Sequence, residues 1–292
     1  MAVFFKDFER DIDSFFKKNY IGANKGQFRL ESIRKPVDGQ IYLNNLFEGN
    51  TFSLNMHYDS RFHGLSSKLS LFSNGSVGSS IAWKYVLGAF QNAIEFREQF
   101  DMHNIAGFKA ELSHRSAADV VAIESRHTFS PKAVAKSEVG ISCAVPNIAG
   151  LSVGCGMNFD SAAASNMSPM KYGAVYKAFS KSLVAVTADQ KGDYSVGIRA
   201  SLRDLVSNAY DACGILQVIN RSNKVAVNLG ASTACPFSGS TLCAKTDLKG
   251  KYGISVSRAL NDVARFSVGF EGDVRAGLKL PTESFTFSVV TE

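Results

Sequence analysis

The sequence predicts an all-β chain: an antiparallel meander closed into a transmembrane β-barrel of about 19 strands, led by one amphipathic helix. Three observations carry that expectation. Apolar and polar residues alternate with period two from Gln27 almost to the last residue. A period of three to four is confined to the N-terminal segment. No second convincing helix and no domain break interrupts the rest of the 292 residues.

Residues 1–25 read as the helix and its linker, and 26–292 as the barrel. Phe5, Phe8, Ile12, Phe15 and Phe16 recur at helical steps, with Lys6, Asp7, Glu9, Arg10, Asp11 and Asp13 between them. That pattern makes one amphipathic helix of about four turns. Lys17 and Lys18 suit its negative C-terminal end, Gly22 follows, and Gly26 opens the strand region.

The strands follow in order. Phe28 and Leu30 alternate with Gln27, Arg29 and Glu31; in TFSLNMHY, Phe52, Leu54, Met56 and Tyr58 alternate with Thr51, Ser53, Asn55 and His57. Leu65, Leu69 and Leu71 oppose Ser66, Lys68 and Ser70, and Val153, Cys155, Met157 and Phe159 oppose Gly154, Gly156, Asn158 and Asp160. Tyr194–Ile198, Val225–Leu229, Tyr252–Val256, Phe266–Phe270, Val274–Leu280 and Phe285–Val289 repeat the pattern. Turn signals separate them: PVDG at 36–39, EGN at 48–50, Asn74–Gly75, KGD at 191–193, Leu248–Gly250, Gly272–Asp273 and Pro281–Thr282. Two stretches alternate poorly, Tyr85–Asn92 and Ser201–Cys213, and either could hold a loop, a bulge or a short helix.

Alternation alone does not separate a lipid-facing wall from a soluble core, but three features favour lipid. A single sandwich seldom runs so long, and an open sheet that wide leaves edges that closure removes. The polar face is rich in Ser, Gly, Thr and Asn with scattered Lys and Arg, which suits a crowded wet lumen. Aromatic residues near strand ends, such as Tyr58, Phe159, Tyr194 and Tyr252, suit an interfacial girdle. A soluble tandem of β-domains is the alternative.

Composition excludes several classes. Mean hydropathy is near zero, as a barrel's alternation would average, and no run of 18 apolar residues provides a spanning helix. The charged opening MAVFFKDFERDIDSFFKKNY has no apolar signal core and is too acidic for a transit peptide. Cys143, Cys155, Cys213, Cys235 and Cys243 are odd in number and form no C-x-x-C pair, so small apolar wall residues are expected rather than disulfides or zinc ligands. The net charge of +6 contains no dense Lys/Arg cluster, so no nucleic-acid partner is expected; a cavity lined with that excess would favour anions. VGCGMNF at 153–159 lacks the third glycine of a dinucleotide loop, the motifs of hydrolases and P-loops are missing, and the five histidines have no metal-ligand spacing. No catalytic residue, metal site or cofactor is expected.

The leading helix ending in KKNYIG, the segment from CGMNFD at 155–160 through GAVYKAFSKSLVAV at 173–186, and the ending FSVGFEGDVRAGLKLPTESFTFSVVTE resemble the mitochondrial porins, or voltage-dependent anion channels. Thr282, Ser284, Phe287 and Val289 fill the frame of that family's sorting signal with serine in place of glycine, and a G-L-K triplet falls at Gly277–Lys279, near the C-terminus rather than in an earlier strand. The resemblance is to a divergent member. It implies a barrel of 19 strands in the mitochondrial outer membrane, with the helix inside the pore, passing ATP, ADP, phosphate and other small anions without a cofactor.

Lys68, Arg97, Lys109, Arg199, Lys224, Arg265, Arg275 and Lys279 are then expected to line the water and attract anions without holding them tightly. Pairing with Glu31, Glu95, Glu111, Glu138 or Glu271 is the other reading of those cations. In the helix, Lys6, Asp7, Arg10 and Asp11 would face the lumen if the apolar stripe packs on the wall; a helix lying on the membrane surface is the alternative. The expected partners are the lipid bilayer, anions and nucleotides in transit, other outer-membrane proteins and further copies of the chain. A protein-import pore of the same fold and a non-conducting structural subunit remain open.

Overall fold

The structure, a computed structural model, describes residues 2–18, 27–34, 39–48, 51–60, 63–102, 104–131, 133–160, 168–178, 182–205, 211–235, 237–259, 264–276 and 282–291. A 3₁₀ turn, Phe5–Asp7, precedes helix α1, Arg10–Lys18. The strands are β1 Gln27–Arg34, β2 Gly39–Glu48, β3 Thr51–Ser60, β4 Leu65–Phe72, β5 Ser76–Leu87, β6 Phe90–Asp101, β7 Asn104–Ala117, β8 Val121–Ser130, β9 Ala133–Ala144 and β10 Leu151–Asp160. They continue with β11 Lys171–Tyr176, β12 Leu183–Asp189, β13 Tyr194–Ser201, β14 Ala212–Arg221, β15 Lys224–Ala234, β16 Ser240–Asp247, β17 Lys251–Ala259, β18 Ala264–Asp273 and β19 Thr282–Thr291. A four-residue helix, α2 Leu202–Leu205, lies between β13 and β14. The expected all-β character is present, and among the described residues no helix is long and apolar enough to cross a membrane.

All these strands belong to one sheet in which consecutive strands pair antiparallel. β1 lies between β2, antiparallel, and β19, parallel, with Gln27 opposite Thr286 and Ser32 opposite Thr291. Register follows the alternation. Phe52, Leu54, Met56 and Tyr58 of β3 stand opposite Phe47, Asn45, Leu43 and Ile41 of β2, all on one face, and a slip of one residue would turn every one of them over.

Burial inverts the usual order. Phe52, Met56, Ile81, Val184, Val186, Leu229, Ile254 and Val256 are exposed, while Ser53, Ser70, Ser142, Ser152, Ser195 and Ser255 are buried. The apolar face is therefore the bare one, and the polar face is the covered one. Over β11–β16 what covers it is the N-terminal segment: Phe8, Ile12 and Phe15 form a cluster with Val175 of β11, Leu183 and Ala185 of β12, Cys213 and Ile215 of β14 and Cys243 of β16. Ala2 joins Ala117 and Ala122 in a second, smaller cluster.

Several expectations need correction. The helix does not run from Phe5: the Asp7 and Phe8 amides donate to Phe4 and Phe5 carbonyls in tight 3₁₀ fashion, and regular α-helix starts at Arg10. The Lys6 amide is taken by the Glu124 carboxylate at 2.7 Å, so it is held by the wall. Val274–Ala276 is a 3₁₀ turn, not strand, and Gly272–Asp273 is the end of β18 rather than a turn. The Arg275 amide donates to Asp273 Oδ1 at 2.9 Å, a local bond that favours a turn over a ladder. Tyr85–Asn92, the poorly alternating stretch, is a tight hairpin, and Ser201–Cys213 contains α2. Most of PVDG at 36–39, positions 49–50 of EGN and the 277–281 segment lie outside the described residues.

Candidate functional site

The N-terminal segment sits on a track of small residues. On the helix-bearing face, β10 presents Gly154 and Gly156, β11 Gly173, β13 Gly197 and β15 Gly230. A Cβ at Gly156 would stand 2.9 Å from the Phe5 ring, and one at Gly154 3.1 Å from it. At Gly197 and Gly230 a Cβ would overlap Ile12 and Phe15. The missing side chains make the groove into which those apolar groups fit. Phe8 and Ile12 are essentially fully buried there, worth about 1.5–3 kcal/mol each in apolar area removed from water.

Polar tethers fix the register of that fit. The Val3 amide donates to Ser152 Oγ at 3.4 Å and Ser142 Oγ donates to the Val3 carbonyl. Arg115 reaches both Asp7, at 3.4 Å, and Glu124, at 3.5 Å, and its guanidinium lies 5.0 Å over the Phe4 ring. Thr187 Oγ1 donates to Glu9 at 2.6 Å, and Gln217 Nε2 donates to Asp13 at 2.7 Å. The helix residues expected in open lumen are thus mostly engaged. Lys6 pairs with Glu138 at 3.2 Å, Asp7 with Arg115 and, at 3.7 Å, with Arg10, and Asp11 with Lys177 at 3.6 Å.

A second feature occupies the same face farther along the sheet. Lys68 of β4, Glu95 and Arg97 of β6, Lys109 and Glu111 of β7 and Arg126 of β8 line a cavity of about 610 Å³. Cross-strand register brings them together: Lys68 faces Ser80, Ser80 faces Arg97, and Arg97 faces Glu111. Arg97 grips Glu95 with two bonds, Nε to Oε1 at 2.6 Å and a terminal nitrogen to Oε2 at 2.8 Å, and stands 3.9 Å from Glu111. Arg126 closes on the other oxygen of Glu111. Lys68 and Lys109 are exposed and have no ion pair among the described residues. Glu95 and Glu111 pair with the two guanidiniums, and of the four cations on the lining, against Glu95, Glu98 and Glu111, the two ammonium groups are the ones without an ion pair among the described residues.

The expected site residues therefore divide. Lys68, Arg97 and Lys109 are brought together in this cavity. Arg199 lies on the helix-bearing face of β13, opposite Leu183, and Lys224 begins β15 opposite Arg221, both apart from it. Arg275 is a correction: it belongs to the turn after β18, where a terminal nitrogen donates to the Leu248 carbonyl at 3.2 Å, so it is not a wall residue. The Arg265 side chain and Lys279 lie outside the described residues. Arg126, Arg115 and Glu124 were not anticipated, although the alternation Ala122, Glu124, Arg126, Thr128 against Ile123, Ser125, His127, Phe129 places them on the polar face. The glycine track had no local signal, because its members meet the helix only in three dimensions.

The cysteines also divide. Cys213 and Cys243 are buried under the N-terminal segment, as small apolar wall residues. Cys235 is exposed in the turn after β15, where hydrogen bonds from Ser238, side chain and then amide, and from the Phe237 amide hold its thiol below the ordinary range. The chain matches no protein-family model and no curated protein.

Proposed function

We propose that this chain is an anion-selective channel of the mitochondrial porin kind, a 19-stranded transmembrane barrel with the N-terminal segment seated inside its pore. The single observation that carries the anion preference is the pair of ammonium groups, Lys68 and Lys109, without an ion pair among the described residues, on a cavity wall whose guanidiniums, Arg97 and Arg126, are already paired. Ammonium groups in a wet, walled space attract small anions such as phosphate, ADP and ATP without a rigid cage, which permits passage. Membrane insertion is supported by the inverted burial: a continuous exposed apolar face of this extent has no place in water. Placement of β1 between β2 and β19 supports closure, which would leave no free edge. On this reading no catalysis and no cofactor is involved, and the site of action is the mitochondrial outer membrane.

The test is reconstitution in planar bilayers under a potassium chloride gradient. The sign of the zero-current potential should report anion preference, and Lys68→Glu with Lys109→Glu should weaken or reverse it while the chain still inserts. A wild-type channel preferring cations, or one whose selectivity ignores both substitutions, would overturn the proposal; cation preference with sensitivity to import presequences would favour a protein-import pore, and absence of conductance a structural subunit.

A further inference from the structure

The hairpin of β5 and β6 outreaches its neighbours. The last β4–β5 pair is Leu65 with Trp83, yet β5 and β6 stay paired through Tyr85 with Asn92, Val86 with Gln91 and Leu87 with Phe90. On the other side, β7 accompanies β6 as far as Gln91 and leaves Phe90 beyond it. Gly88, with φ +59°, and Ala89 make the turn, and a Cβ at Gly88 would meet nothing within 4 Å. The tip is thus bare on the β4 side from Tyr85 and clear of the sheet on both sides at Leu87–Phe90.

That tip is apolar throughout. Between Lys84 and Gln91 the chain reads YVLGAF, without one charge, and Val86 and Leu87 are 72% and 70% exposed. Other tips differ. The β12–β13 turn is Gln190–Lys191–Gly192, with the Lys191 and Asp193 amides closed on Asp189; the β14–β15 turn is Ser222–Asn223 between Arg221 and Lys224. Phe237 and Leu248 are also exposed at turns, but each stands beside a polar neighbour, Ser238 and Lys249; a tip with no charge from Tyr85 to Phe90 needs something to cover it.

Its face says what that is. Val77, Ile81, Trp83, Tyr85 and Leu87 lie on one side of β5, continuous with the bare apolar face, and the Trp83 and Tyr85 rings lie 4.7 Å apart. Trp and Tyr favour the boundary between acyl chains and headgroups, and Lys84 beside them can stretch its charge to water. Resting on the barrel reading, we propose that Val86–Phe90 is a lipid-docking finger that continues the membrane belt past the rim and lies in the headgroup boundary. Val86 and Ala89, on the reverse side of the ribbon, let the tip lie flat there without presenting a polar group to the acyl chains.

Trp83 is the only tryptophan, so the test is spectroscopic. The full chain is refolded into phosphatidylcholine vesicles with brominated acyl chains, as wild type and as Trp83→Phe carrying either Leu87→Trp or Lys191→Trp. Expected are bromine quenching and blue-shifted emission for Trp83 and for Leu87→Trp, and water-like, unquenched emission for Lys191→Trp. A quenched Trp83 with an unquenched Leu87→Trp overturns the finger, leaves the barrel reading standing and makes the tip a surface for a protein. Failure of both to quench overturns the barrel reading with it; quenching of Lys191→Trp as well overturns the finger by showing indiscriminate adsorption.

Discussion

The helix-bearing faces of β4–β8 and of β11–β16 have the same pleat and opposite contents. The first carries Lys68, Glu95, Arg97, Lys109, Glu111 and Arg126 around a cavity; the second carries Val175, Leu183, Ala185, Gly197, Cys213, Ile215, Gly230 and Cys243 beneath a helix. Long charged side chains need water and room, so α1 does not pack there; only the residues ahead of it reach β7 and β8, at Arg115, Ala117, Ala122 and Glu124. Small or apolar residues need cover, and they draw it in. The position of α1 follows from that difference, and a narrowed, asymmetric passage with one charged side would follow from α1.

The largest expected effect comes from breaking the apolar side. Phe8→Ala removes a fully buried ring from the seat and should cost about 3–5 kcal/mol of docking, with Ile12→Ala costing about 2–5. Gly197→Leu fills the groove from below and should cost about 1–3 by overpacking against Ile12. Limited trypsin digestion at Lys6 and Arg10 is the readout, since both lie in the segment that would lift away. Equal protection of Phe8→Ala and wild type would refute the seat. Unchanged single-channel conductance despite faster cleavage would place the lifted segment outside the current path.

Much of this wall plan was legible in the sequence, because period two is written residue by residue. The faces of Phe52–Tyr58, Leu65–Leu71, Val153–Phe159 and Tyr194–Ile198 were all readable, as were the apolar positions of the helix. What was not legible depends on partners distant in sequence. The first turn of the helix pattern reads as α-helix alone, yet Glu124, 118 positions away, takes the Lys6 amide. For Arg97 the sequence leaves a free cation and a pair with Glu95 or Glu111 both open, and the side chain takes the pair, with two bonds to Glu95 on the same face. Val274–Leu280 alternates well enough for a strand, and Asp273 turns its beginning.

The two sectors differ on the bare face as well, and that offers an intermediate effect. Behind the charged wall, Glu98 stands in register with the apolar side between Phe96 and Phe100, bonded by Ser79 Oγ at 2.8 Å, and is the carboxylate that β4–β8 place on that side among the described residues. Behind the helix, β12 presents Val184 and Val186. If lipid covers both, Val186→Arg should cost about 2–4 kcal/mol in urea unfolding from bilayers, whereas Glu98→Leu should gain about 1. Destabilisation by Glu98→Leu would mean that this sector meets something other than acyl chains.

The smallest effect concerns thiols, which report on the seat without altering it. Maleimide should label Cys235 first, since it is exposed, and should reach Cys213 and Cys243 only when the N-terminal segment lifts, as in Phe8→Ala. Alkylation uses the thiolate, and an ordinary thiol loses its proton near pH 8.5, by about which point its rate is half-maximal. The Ser238 and Phe237 donors favour the thiolate of Cys235, so its rate should hold up as pH falls below that range. Ser238→Ala removes the side-chain donor, the largest of those contributions; the profile should move to higher pH and labelling at pH 7 should slow, while Cys213 and Cys243 stay as protected as before. An unmoved profile would mean that exposure alone makes Cys235 reactive, and early labelling of Cys213 in the wild type would mean that the helix leaves its seat without any substitution.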